Sequence, residues 1–205
     1  MTSTRRLFAL TLWLALLTPN VQAAGVHLMV TDAQGKPAVD AVAMLEPANG
    51  KMPPVKPVAQ VDVSQAKRMF NPKVSVITTG TPVNFPNFDT VRHHVYSFSP
   101  AKVFELKLYA GVPNKPIVFD KPGVVILGCN IHDLMVAWVL VSETPWFGLA
   151  GVDGRLQIDN VPPGSYKLRV WHPAMPVNTE APVTSVSVGG GDLQQMVKLA
   201  VSATP

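Results

Sequence analysis

An all-β protein is expected from this sequence, and three observations lead there. Twenty prolines and fourteen glycines punctuate 205 residues, which is dense for a helical chain and suits short strands joined by turns. Apolar residues recur at every second position in many short runs, the period of a half-buried strand. No long stretch carries the 3.6-residue period of an amphipathic helix, so sandwiches or barrels of short strands are expected. The chain is 47% hydrophobic and 15% charged, which is enough apolar matter for one or two domain cores.

The first segment stands apart. Arg5 and Arg6 precede the apolar run "LFALTLWLALL", and "VQA" before Ala24 has the form of a small-residue cleavage site. Residues 1–23 read as a secretory signal peptide, since the apolar run is shorter than the roughly 20 residues a spanning helix needs. No later run is long and apolar enough to span, so no stable membrane anchor is expected after cleavage. The pattern suits bacterial export, and the periplasm is the expected compartment. The whole chain carries a net charge of +4. Without Arg5 and Arg6, fifteen basic side chains face thirteen acidic ones. With no basic stripe interleaved with aromatics, nucleic acid is not an expected partner.

The strands follow in order. Val26, Leu28 and Val30 alternate, "DAQGKP" turns, and a second apolar stretch covers residues 39–45. "PANGKMPPVKPVAQ" is Pro-rich and reads as a linker or crossover. Val74 and Val76, a turn at Gly80, then Val83 and Phe85 suggest a hairpin-type pair of strands. "HHVYSFS" is a short strand rich in β-formers. "FELKLY" turns Phe104, Leu106 and Leu108 to one face and Glu105 and Lys107 to the other. "KPGVVILGC" reads as a strand buried on both faces, and "MVAWVLVSE" as another strand. "DGRLQIDNVPPGSYKLRVWHP" reads as a hairpin, and "VTSVSVGGGDLQQMVKLAV" as two strands around a triple glycine.

The chemistry concentrates in "GCNIHDLM", residues 128–135, which contains the chain's one cysteine. A lone thiol in an oxidising compartment is a liability unless it is buried, paired with another chain or bound. Cys129 as a nucleophile would need a base and an orienting third group. His132 and Asp133 are near, but adjacent residues on a short loop do not line up as a triad, and no oxyanion-hole signature accompanies them. An inert buried cysteine accounts for the apolar run before it but leaves His132 and Met135 without a reason. Thiolate, imidazole and thioether together are soft or borderline metal donors, and two His, one Cys and a weak axial Met form the blue-copper ligand set. A second histidine would then come from another strand. Of His27, His93, His94 and His172, the adjacent pair His93 and His94 lies on a predicted strand, where usually only one of two neighbours faces a given site. His27 reads as a strand-surface residue and His172 as structural in a turn.

The combination of "FNP", "VNFPN", "HHV" and "CNIHDLM" resembles the cupredoxins. The Cys-x-x-His-x-x-Met spacing is similar to the ligand loop of amicyanin. The longer wording "FPNFDTVRHHVYSFSPAKVFELKLY…FDKPGVVILGCNIHDLM" resembles methylamine-utilisation proteins with a cupredoxin domain, over residues 58–142. The resemblance implies a Greek-key β-sandwich and one copper ion on His93, Cys129, His132 and Met135, with His94 as the substitute for His93. It implies a periplasmic type-1-like copper protein, not an enzyme, that carries single electrons to or from a redox protein such as a cytochrome or dehydrogenase. Copper delivery or maturation, and a metal-free structural module, are the alternative functions. Three positions depart from the family habit: His94 stands where Asn is common, Asp133 where Pro is common, and Leu127 where an aromatic is common.

The flanks carry a second resemblance. "VTDAQGKPAVDAVAMLEP" and "VDGRLQIDNVPPGSYKLRVWHP" are similar to the early strands and the later hairpin of carboxypeptidase-regulatory-like, transthyretin-like sandwiches. Residues 25–57 and 143–205 are therefore expected to be two parts of one small β-sandwich, with the domain of residues 58–142 inserted between them.

Overall fold

The structure, a computed structural model, describes residues 23–202. The segment read as an export signal lies outside the described residues apart from Ala23. Among the described residues there are seventeen strands and no helix. The chain opens with β1 (Ala24–Thr31) and β2 (Val42–Pro47). A strand-free stretch, 48–60, leads to β3 (Val61–Asp62), β4 (Ser64–Ala66), β5 (Met69–Asn71), β6 (Val74–Thr78), β7 (Thr81–Asn84) and β8 (His93–Ser99). Next come β9 (Lys102–Tyr109), β10 (Ile117–Phe119), β11 (Gly123–Gly128) and β12 (Val136–Ser142). The C-terminal part holds β13 (Phe147–Leu149), β14 (Arg155–Val161), β15 (Gly164–Trp171), β16 (Val183–Val188) and β17 (Leu193–Lys198).

The two ends of the chain build one small sandwich. β1 lies between β14, antiparallel, and β17, parallel. β2 lies between β13 and β15, and β16 closes the second sheet. The period-two pattern decides which side chains meet: Val26, Leu28 and Val30 from β1 are buried with Leu45, Ile158 and Leu168. His27 and Met29 point to the other face and are only half-buried. Each fully buried aliphatic side chain stabilises the fold by roughly 1.5–3 kcal/mol relative to exposure.

Two expected pairings differ from the structure. The strands around Gly80 do not form a hairpin: β6 pairs in parallel with β12, while β7 pairs with β10 and β3. Gly80, at φ 89°, turns the chain from one sheet to the other. Ile77 and Val83 then face one core from opposite sides. The run around "VPPGSY" behaves likewise, since β14 pairs with β1 and β15 with β2 and β16. The Tyr166 hydroxyl donates to the Pro162 carbonyl at 2.8 Å and holds that corner. The two strands beside the triple glycine sit in different sheets, β16 on β15 and β17 on β1. Alternation fixes which face of a strand is apolar and leaves its hydrogen-bonding neighbour open.

The inserted unit packs the five-stranded sheet β6-β12-β11-β8-β9 against β10-β7-β3, with the β4–β5 ribbon alongside. β11 is not buried on both faces. Val125 and Leu127 are buried, whereas Val124 and Ile126 are half-buried. The doubly buried strand is β12. Ala137, Val139 and Val141 enter the inserted core, and Leu140 enters a seam with Val42, Val74, Trp171 and Ala181 that joins the two units. In β9 a register shift opposite β8 ends the alternation: Val95 faces Leu106, but His93 faces Tyr109. Such a bulge re-aims the side chains beyond it. Leu108, expected inward, is 53% exposed, and Tyr109 takes the inward place.

Candidate metal centre

β11 runs into the sheet interior and ends at Gly128, so Cys129 follows from a strand whose pairing to β12 and β8 fixes its position. Gly128 has a local reason. A Cβ there would lie 2.8 Å from Cζ and Oη of Tyr96, so the tyrosine ring occupies the space a side chain would need. Residues 129–135 form the loop back to β12, tightened by the Met135 amide donating to the His132 carbonyl at 2.9 Å. Cys129 and Met135 are both buried, in the core of the inserted unit. His132 is half-buried, while Ile131, Asp133 and Leu134 face outward.

β8 supplies the second histidine. His93 is fully buried, and its Nδ1 lies 3.9 Å from the Cys129 Sγ. His132 Nδ1 lies at the same 3.9 Å from that sulfur. The two imidazole rings are 5.1 Å apart at 60°. The donor atoms of His93, Cys129 and His132 all lie within 4.8 Å of one another. Two donors bound at about 2.0–2.3 Å to one ion, and spread about 120° around it, would be about 3.8 Å apart. The sulfur–nitrogen separations therefore fit a shared ion and are too long for strong hydrogen bonds.

His94 does not join this group. Strand alternation sends it to the other face of β8, where its Nε2 lies 2.9 Å from Glu105 Oε1, off the line of a good hydrogen bond. Its ring packs 5.6 Å from that of Tyr96. The other two histidines are also remote. His27 Nε2 sits 3.5 Å from Asp192 Oδ2 on the flanking sandwich. His172 is buried, with Nε2 2.9 Å from the Val39 carbonyl and Nδ1 accepting from the Ala174 amide at 3.0 Å.

The surroundings contain groups that sequence patterns did not mark. His93 Nε2 is 2.8 Å from Asp89 Oδ2. The amides of Arg68 and Lys67 also donate to that carboxylate, at 2.9 and 2.6 Å. The Arg68 amide is the main cause that holds the Asp89 carboxyl below its ordinary range; partial burial opposes it, and the bond to His93 adds to the lowering. The i, i+4 spacing of Asp89 and His93 is visible in the sequence, but nothing there places it beside the turn at residues 67–68. Below the centre, burial pushes the Tyr109 hydroxyl up to about 12. It donates to the Phe85 carbonyl at 2.6 Å. Gln65, fully buried, donates through Nε2 to the same carbonyl at 3.0 Å.

No family model matches the chain, and no curated protein sequence matches it. Solved structures do. A purple cupredoxin from Nitrosopumilus maritimus is 26% identical over 42% of this chain and 100% of its own, with a TM-score of 0.35. Amicyanin from Paracoccus versutus is 21% identical over 42% of this chain and 92% of its own, with a TM-score of 0.35. A copper-containing nitrite reductase from Thermus scotoductus is 26% identical over 47% of this chain, with a TM-score of 0.38. The aligned part is 25% of that reductase. These overlays span less than half of this chain, and the chemistry of the site rests on its own atoms.

Proposed function

We propose that this chain is a type-1-like copper protein of the cupredoxin kind that carries single electrons. One observation supports the proposal above the others: Cys129, His93 and His132 converge with the separations expected around one ion. The donor set fits copper, because a thiolate and two imidazoles with a nearby thioether, Met135, are the ligand types of blue-copper centres. Bound there, copper would supply a redox couple at neutral pH. The chain's own part is to hold the donors still. His93 sits in β8 and Cys129 directly follows β11, so neither is free to move when the charge at the site changes. Burial of His93, Cys129 and Met135 keeps water away, and the half-buried His132 offers the shortest route for an electron to the surface.

In this proposal the protein transforms no substrate. Export to the periplasm rests on the N-terminal segment, and a link to methylamine utilisation rests on sequence resemblance. A cytochrome or a dehydrogenase is the partner that resemblance implies. The test is to load the purified protein with copper and record its visible spectrum beside a Cys129→Ser control. An intense thiolate-to-copper band in the native protein alone is expected. Copper binding no greater than the control's overturns the proposal. Repeated oxidation and reduction without loss of the ion supports a carrier, whereas ready transfer to an acceptor chelator supports delivery.

A further inference from the structure

We propose that Asp89 is the positioning residue of this centre, holding His93 as the Nε2–H tautomer so that Nδ1 faces Cys129 with a free lone pair. The inference rests on the copper proposal for its purpose but not for its geometry. A neutral imidazole has one N–H donor and one acceptor nitrogen. An ionised carboxylate only accepts, so the 2.8 Å contact makes Nε2 the donor. The remaining nitrogen, Nδ1, is the atom 3.9 Å from the Cys129 sulfur. With His93 fully buried, no water competes for either nitrogen.

The carboxylate is itself anchored by two backbone amides, and the Asp89 backbone by a third hydrogen bond. The β4–β5 ribbon turns at Lys67 and Arg68, both with positive φ, 54° and 59°. Two consecutive left-handed residues make a type I′ turn, which favours Asn and Gly and rarely takes Lys or Arg. Here the turn aims two successive amides at one anion, Lys67 N–H at Oδ1 and Arg68 N–H at Oδ2. On the other side, the Asp89 amide donates to Asn87 Oδ1 at 2.9 Å. Buried Asn87 donates in turn to the Val91 and Tyr109 carbonyls, at 2.9 and 3.0 Å. A carboxylate fixed this way sets the ring orientation of its histidine. Such a partner also raises the basicity of the ligating nitrogen, which favours the more highly charged state of a bound metal.

The primary experiment uses the metal-free protein: long-range nitrogen–proton correlation of the His93 ring. The native protein is expected to show the Nε2–H tautomer alone. Asp89→Ala is expected to give a tautomer mixture and faster exchange of that proton. An unchanged, pure Nε2–H tautomer in Asp89→Ala overturns the proposal. If Asp89→Ala does not fold, Asp89→Asn decides. Its amide oxygen can still accept from His93, so the tautomer stays, but the charge is gone. The copper-loaded Asn variant is then expected to have a higher reduction potential, and an unchanged potential overturns the proposal. Where Asp89→Ala folds, its copper dissociation constant is expected to rise about 10–100-fold. If the native protein binds no copper, the function proposed above fails, and the tautomer of the metal-free protein still decides the role of Asp89.

Discussion

The flanking sandwich and the inserted unit are built from the same strand chemistry, yet their interiors differ in kind. The main core of the first is packed from apolar side chains, from Val26 and Leu28 to Ile158 and Leu168, and its buried Asp32, Thr144 and His172 hydrogen-bond to backbone groups. The core of the second runs through Val125, Leu127 and Val139 and then reaches Cys129 and Met135 beside buried His93 and Gln65. A buried polar group without a purpose is costly. One unit ties its buried polar side chains to backbone partners, and the other gathers two imidazoles and a thiol at one end, which makes the second unit the candidate for the chemistry. The two units meet at the seam, where Val42 and Trp171 of the first pack with Val74 and Leu140 of the second.

That division predicts independence, and the largest expected effect tests it. Leu168, buried to 1% in the flanking core, leaves a cavity when replaced by Ala. Leu168→Ala is expected to cost about 2–5 kcal/mol of unfolding free energy, measured by denaturant titration. The spectrum of the copper-loaded native fraction should stay as it was. A shifted spectrum would mean that the seam passes distortion into the centre and that the two units act as one.

A smaller effect belongs to the inserted unit alone. Gly128→Ala pushes a methyl group into the Tyr96 ring, 2.8 Å from Cζ and Oη. Overpacking of this kind costs about 1–3 kcal/mol. Because Cys129 is the next residue, the loaded protein is expected to change its absorption as well. Adding Tyr96→Ala removes the overlap, so the two substitutions together should cost less than the sum of their separate costs, as expected for two residues in direct contact. Stability lost without any spectral change would separate this strand end from the ligand sulfur.

Much of this was readable in advance, but unevenly. Cys129, His132 and Met135 lie within seven residues, so their association is local and spacing alone displays it. The alternation of Val26, Leu28 and Val30 likewise declares a strand and its buried face. What spacing does not carry is the choice of neighbour. β6 and β7 read as a hairpin because both alternate and a glycine stands between them, yet each completes a different sheet. Leu108 and Tyr109 exchanged faces because a bulge depends on the partner strand as well as on its own residues. Asp89 was missed for a related reason. Its meaning comes from the Lys67–Arg68 turn, which is distant in sequence and lacks the Gly or Asn that would mark a type I′ turn.

The smallest effect concerns the seam side of the flanking unit and is read through pH. Burial holds the His172 imidazole below its ordinary range, with the hydrogen bond to the Val39 carbonyl and the charge of Asp40 acting against it. Lys73 reinforces the lowering, and Asp32 opposes it. The unfolded chain therefore takes up a proton at this residue at a higher pH than the native protein does. In that window the unfolded state binds more protons, so stability rises with pH. The contribution is complete above about pH 6.5 and is lost as the pH falls through the lower native value. Protonation would also place a proton on Nδ1, the atom that accepts from the Ala174 amide at 3.0 Å. Urea unfolding of the native protein and of His172→Asn, at matched pH values between 5 and 8, isolates this group. The asparagine keeps an acceptor for Ala174 and cannot titrate, so its midpoint should depend less steeply on pH than the native one. Equal slopes would place the acid sensitivity elsewhere, and His172 would then be a packing residue like its neighbour Trp171.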